Sequence, residues 1–584
     1  MKSSGGWLAL AGASLLALRG QAGPGTPATP NLSGLWKAEQ RFGPDVRGPL
    51  SLESGPGGGR AEIAGRSAPV ERRGPLVSFA LGDDEGAFRG VETGPAIVGH
   101  WIQPRVVSAG ARYATPVTLT RIGPGRWRGT VTPLDDAMTF YLPIRRDETG
   151  AWAAFLLNPE RNAGRFMPVQ HVVLEGSTVR LVGRRADTDP ETTTGSGSYD
   201  AETDVLTVAF PGRGGSYDFR RVNPDTEVGF RPRPAAARSY AYRPPSAEDD
   251  GWPVATLEEA GIAREAIVRF VQKLIDQPID SPHSSQVHAL LLARHGKLVL
   301  EEYFHGFARE GLHDTRSAAK SITSALTGAA VLAKVPVSAE TPVYATLRGP
   351  GAALDPLQRA LKLEHLLTMS SGLDCDDNDE SSPGNEDTMQ DQQEQPDWYQ
   401  YTLALKMIRA PGEKAVYCSC NPNLAGGVLA KASGRSLPDL FHDLLARPLR
   451  IERYAANLTP TGDAYMGGGL RLRLRDFMKL GQVMLDGGRW QGRPVVSAEW
   501  ARRSVSPLYE LGGRRYGYLW WVTDYPWHGR TVRAFFAGGN GGQIVMGIPE
   551  LELVIGFYGG NYSDAAGFVP QKVFVPEDLL PAVN

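Results

Sequence analysis

The chain has 584 residues, with 62 Lys and Arg against 64 Asp and Glu and a hydrophobic fraction of 41%. That length exceeds what one hydrophobic core serves, so two or more domains are expected. A formal net charge of -2 supplies no basic surface for nucleic acid, and 69 glycines with 44 prolines favour turns and short strands over long helices.

In chain order, Lys2 precedes an apolar run over residues 7–18, and Gly20 and Ala22 place small residues where a signal peptidase reads. Residues 1–22 are therefore expected to be a signal peptide. The run is too short to span a bilayer, and no later stretch is long and apolar enough to do so. The mature protein is expected to be periplasmic or secreted, with no transmembrane anchor after cleavage.

Residues 23–230 read as an all-β domain. Val117-Thr118-Leu119-Thr120-Arg121-Ile122 alternates apolar and polar, Gly123-Pro124-Gly125 breaks it, and residues 127–131 resume. Residues 178–182 and 205–210 repeat the pattern, with Trp36, Trp101 and Trp152 as expected core anchors. A meander closing into a barrel or sandwich fits best. Gly55-Pro56-Gly57-Gly58-Gly59-Arg60 lacks the Gly-Lys-Ser/Thr ending of a phosphate loop and reads as a turn. Residues 231–249, rich in Pro, Arg and Ala, form a linker.

The second domain spans residues 250–584. Ile267, Phe270, Val271 and Leu274 predict a helix over residues 264–275, and two apolar strands flank His295-Gly296. Helical periodicity follows between residues 336 and 485. Strands return at 516–522, 531–536, 543–548 and 553–558. This order predicts an α+β domain: one antiparallel sheet built from both ends, flanked by helices, with a helical subdomain inserted between.

At the seam stands Ser317-Ala318-Ala319-Lys320. Ser317 is the only serine with a lysine three residues on, a spacing that puts hydroxyl and amine on one helical face. A serine needs a base, and burial beneath the small and apolar residues 322–332 is expected to lower the amine's pKa to make one. Three cysteines, Cys375, Cys418 and Cys420, allow one disulfide in an exported protein, and Cys375 with Cys418 is the proposed pair. No Cys-x-x-Cys, His-x-His or His-Glu-x-x-His accompanies them, so no metal or other cofactor is expected. Residues 374–397 hold Asp376, Asp377, Asp379, Glu380, Glu386 and Asp387, read as a solvated lid, with a calcium loop as the alternative. His288, His305, His313 and His365 form no triad with a Gly-x-Ser-x-Gly serine, which is absent, and are assigned surface or packing roles.

Three ordered motifs, Ser317-Ala318-Ala319-Lys320, Tyr417-Cys418-Ser419 and Gly539-Asn540-Gly541-Gly542-Gln543, resemble those of the serine β-lactamase-related hydrolases. That superfamily includes class C β-lactamases, D-alanyl-D-alanine carboxypeptidases, family VIII esterases and 6-aminohexanoate-dimer hydrolases. Residues 367–373, Pro411-Gly412-Glu413, Gly467-Gly468-Gly469-Leu470 and residues 516–521 echo the last branch, so the resemblance covers roughly residues 251–562. It implies a β-lactamase/transpeptidase-like fold and a serine hydrolase, with Ser317 the nucleophile, Lys320 the base and Tyr417 the proton relay. Ser419 would contact Lys320 or the substrate. The oxyanion would rest on the amide of Ser317 and on the third motif, at Gly542 or Gln543, with Asn540 and Gly541 beside them. Penicillin-recognising relatives carry Lys or His with Thr/Ser-Gly on that strand, whereas Gly539 and Asn540 stand here. The expectation is thus a small-molecule or peptide-like ester or amide substrate without an obligatory carboxylate. Asp374 and Asp376 are candidate contacts for a substrate amine. The alternatives are a penicillin-binding carboxypeptidase or β-lactamase, and a non-catalytic cell-envelope binding protein of the same fold.

Overall fold

The computed structural model describes residues 30–55, 58–391 and 396–584. The expected signal peptide, Pro56 and Gly57 of the glycine turn and residues 392–395 of the acidic segment lie outside the described residues.

The N-terminal region is all strand, but as two closed rings. The strand Gly34–Gly43 pairs with Asp136–Arg146 on one side and with Gly215–Val222 on the other, closing an eight-stranded barrel. Trp36, Phe140, Leu206 and Phe219 fill it, and Trp152 caps that core. Between the barrel's first two strands, Gly48–Gly55 through Arg126–Val131 form a second eight-strand meander that closes because Arg126–Val131 pairs with both Gly48–Gly55 and Arg112–Gly123. Its separate core holds Trp101, Phe88 and Trp127. Strand alternation places Val117 and Leu119 inside and Thr118 and Thr120 outside.

The meander does not end at its own border. Arg112–Gly123 pairs with Tyr454–Leu458 of the second domain, which continues to Arg471–Leu472 and then to His313–Asp314. Helical periodicity was expected through this stretch. Tyr454-Ala455-Ala456-Asn457-Leu458 has no period of two, and it becomes a strand because its partner edge lies in the N-terminal region. The linker residues are docked as well: Tyr240 donates its hydroxyl to Glu302 at 2.6 Å.

The second domain carries an eight-stranded antiparallel sheet in the order 297–303, 287–294, 553–559, 543–548, 530–539, 521–527, 514–516, 509–511. Leu290, Leu292, Ile555 and Phe557 face the helix Arg264–Ile275. Leu291, Val545 and Val554 face the opposite layer, which contains Lys320–Leu332 and Leu474–Leu485. The strand expected at residues 516–522 is broken. Arg514–Tyr516 ends, Leu519 takes φ +60° while Gly517 donates to the Trp520 carbonyl, and Trp521–Trp527 begins anew. Among the described residues, no helix is long and apolar enough to cross a membrane.

Candidate active site

Ser317 lies in a short 3-10 turn, Arg316–Ala319, that runs directly into the helix Lys320–Leu332. Asp314 shapes the entry by accepting the Arg316 amide at 3.0 Å, and Arg316 is held at φ +49°, a region costly for a branched-out side chain. The turn brings Lys320 Nζ to 3.0 Å from Ser317 Oγ. The amine is 1% exposed and also donates to the Gly467 carbonyl at 2.6 Å. It sits 5.0 Å from the centroid of the Tyr417 ring, so the three residues converge.

Burial alone pulls the Lys320 pKa down, as expected. Tyr417, Glu386 and Asp377 together outweigh it, and the net shift is upward. The expected neutral amine is therefore corrected to an ammonium, because the acids of the next loop face it.

Those acids are the main departure from the sequence reading. The segment after Cys375 is not simply a solvated lid: Asp379 and Glu380 are exposed, but Asp377 and Glu386 turn inward. Asp377 accepts the amide and hydroxyl of Ser419 at 2.8 and 2.6 Å on one oxygen and the Glu386 amide at 3.0 Å on the other. Its own amide donates to the Tyr417 carbonyl at 2.9 Å, and Glu386 accepts the Tyr465 hydroxyl at 2.7 Å. Burial, reinforced by Glu386 and opposed by Lys320, pushes the Asp377 carboxyl up to about 6. A disulfide joins Cys375 to Cys418, Cα atoms 5.6 Å apart, while Cys420 keeps a buried thiol. Ser419 is 0% exposed and spends its hydroxyl on Asp377, which corrects its expected contact with Lys320 or substrate.

The third motif is displaced from its expected alignment. Gly539 lies against the serine turn so closely that a Cβ there would come within 2.4 Å of the Thr315 carbonyl and 2.9 Å of the Ala318 amide. Gly542, at φ +95°, packs instead toward Gly567, whose carbonyl would lie 3.4 Å from an added Cβ. Gln543 is 0% exposed, and its amide group donates to the Gly559 carbonyl at 2.7 Å. Gly541, at φ +94°, leaves room for the Tyr562 ring. Asn540 is exposed and ties its side chain to Ser563 at 3.2 and 2.6 Å. Of the motif, Gly539 is the residue that meets the serine turn, while Gly542 and Gln543, the expected oxyanion positions, pack toward Gly567 and Gly559.

Asp377, Glu386 and the Gly467 carbonyl were missed as members of the site. Their sequence signals existed, an acid two residues after Cys375 and a glycine run, but spacing alone gives neither an inward direction. His288, His305 and His313 are buried in one aromatic stack with Phe307, in keeping with packing roles.

Residues 271–559 match the Beta-lactamase family model. The 6-aminohexanoate-dimer hydrolase of Paenarthrobacter ureafaciens is 25% identical over 277 residues, covering 44% of this chain and 66% of that protein, just under two thirds of the relative's length. Among solved structures, a family VIII carboxylesterase is similar with a TM-score of 0.41 at 16% identity, covering 54% of this chain and 96% of that one. A penicillin binding protein from Bacillus halodurans gives a TM-score of 0.40 at 15% identity over 49% of this chain and 95% of that one. The match to the Beta-lactamase family model thus spans residues 271–559, the region in which Ser317, Lys320 and Tyr417 meet, in line with the resemblance that the three motifs carry.

Proposed function

We propose that the protein is an exported serine hydrolase that cleaves an ester or amide through an acyl-enzyme on Ser317. The observation that carries this is the 3.0 Å contact between Ser317 Oγ and the buried Lys320 Nζ, with the Tyr417 ring over the amine. As an ammonium, Lys320 donates to Ser317 Oγ and fixes it. For the attack Lys320 first gives one proton to solvent; its neutral amine takes the serine proton as the Oγ–carbonyl bond forms, and the Tyr417 hydroxyl relays a proton from the ammonium so restored to the alcohol or amine as the old bond breaks. The Ser317 amide and a backbone amide of the Gly539–Asn540 stretch hold the oxyanion. Water attacks the acyl-enzyme by the same route in reverse, freeing the acid and restoring the serine.

The relative named for a 6-aminohexanoate dimer favours linear amides among the substrates, alongside short esters. The Cys375–Cys418 disulfide supports export, since such bonds persist in oxidising compartments. A fluorophosphonate probe tests the reading: covalent labelling on Ser317, lost in Ser317→Ala, is the expected result. No labelling together with no turnover of p-nitrophenyl esters or linear amides would leave a binding protein of this fold.

A further inference from the structure

A second cluster of charge lies one residue from Ser317, at the seam between the N-terminal rings and the catalytic domain. Arg161 comes from the barrel, Arg316 precedes the serine, and Arg471 lies on the strand that pairs with His313–Asp314. Arg316 and Arg471 share the Asp314 carboxylate, and Arg161 lies near enough to feel the same charges. Arg316 Nε and Arg471 Nη2 approach the same oxygen of Asp314 at 3.5 and 3.7 Å, ion-pair distances too long for hydrogen bonds. Arg161 Nη2, Arg316 Nε and Arg471 Nε are buried and have no hydrogen-bond partner among the described residues. The neighbouring Glu160 accepts from Asn158 at 2.6 Å and from the Thr139 amide at 3.4 Å, both on Oε2, and among the described residues it forms no ion pair within 4 Å with these arginines. Tyr113 and Tyr562 complete the walls, with Arg471 5.4 Å and Arg316 5.0 Å from their ring centroids.

Three part-buried cations against one anion leave positive charge uncompensated unless something negative joins them. Burial and the charge of Arg471 already push Arg161 below its ordinary pKa. The seam opens on a cleft of about 460 Å³ lined by Arg471, Asp314 and Tyr562 together with the acids Asp135, Glu160, Glu310 and Glu452, and Arg161 and Arg316 lie outside that lining.

We infer that Arg161, Arg316 and Arg471 form a binding site for an oxyanion, a carboxylate or a phosphate, assembled from both domains. Planar guanidinium donors with free N–H groups match either ligand. The site gives the N-terminal rings a part in binding, and it offers a cation of the kind that the third motif lacks. The anion comes either as the acid group of a substrate or as a free ion.

Calorimetry and thermal melting of the full chain with inorganic phosphate and with succinate test the inference. Saturable binding of at least one, with a rise in Tm on the order of 2 °C, is expected. Arg161→Met should abolish both responses and melt no lower than wild type in anion-free buffer, since it removes an unpaired cation. Failure of both anions to bind wild-type protein, a result that needs no variant, overturns the site, as does a full response in Arg161→Met. The source is read with p-nitrophenyl pentanoate and the mono-p-nitrophenyl ester of glutaric acid. A selective loss of kcat/KM for the acidic ester of about tenfold in Arg161→Met assigns the site to substrate, and an equal rate for both assigns it to a free anion. Only this last arm rests on Ser317 being the nucleophile; the binding arm stands or falls alone.

Discussion

The two walls of the Ser317 site are built on opposite principles. The wall behind Tyr417 is held by covalent and charged ties: a disulfide, the Asp377 carboxylate with its three donors, and Glu386 facing an ammonium. The wall at Gly539 is held without covalent or charged ties, by glycines pressed against the serine turn and by the neutral amide side chains of Asn540 and Gln543 tied to Ser563 and Gly559. The first wall is negative, and the seam behind the second is positive. Under the proposed mechanism, proton traffic would be tuned from one side while shape, and any anionic anchor, would come from the other.

Removing what the walls share has the largest expected effect. Ser317→Ala should lower kcat on p-nitrophenyl esters by about 10³–10⁶-fold, on the scale of nucleophile deletions. Lys320→Ala follows at about 10²–10⁴-fold, measured in the same assay. Next comes the charged wall. Cys375→Ser with Cys418→Ser, which opens a loop of 43 residues, should cost about 2–4 kcal/mol in denaturant unfolding.

Asp377→Asn should cost about tenfold in kcat/KM and change the pH profile. In the native protein, activity should fall as pH drops through about 6, where Asp377 takes up its proton. Its folded pKa lies above the unfolded value of about 4. The folded state therefore binds more protons in that window, and this carboxyl's contribution to stability declines as pH rises from about 4 to about 6. Asp377→Asn should remove that acidic limb; an unchanged profile assigns Asp377 to structure only.

The smallest effect belongs to the backbone wall. Asn162, buried at φ +52°, donates to the Tyr562 carbonyl at 3.2 Å and so braces the loop beside Gly541. Asn162→Ala should cost about 0.5–1.5 kcal/mol by thermal melting, with activity changed only a few-fold.

The same contrast explains what the sequence disclosed. Ser317 and Lys320 were legible because three residues on one helical turn have one geometry, and the paired strands 287–294 and 297–303 because apolar runs around His-Gly leave few choices. Asp377 was not, because an acid in an acid-rich loop points inward only when Ser419 and Lys320 are already placed. The contact of Gly539 with the serine turn was not legible, because a glycine run does not say where its hairpin closes. The strand at Tyr454–Leu458 was invisible for a further reason: its partner lies more than three hundred positions earlier in the chain.

That pairing has a practical consequence. A protein trimmed to its hydrolase half would strip Tyr454–Leu458 of its neighbour and leave a row of bare amides and carbonyls. Such a border templates sticking between copies, so the truncated half should precipitate where the intact chain stays dispersed. The segment that feeds the nucleophile would fray at the same border, since His313–Asp314 hangs from it through Arg471–Leu472.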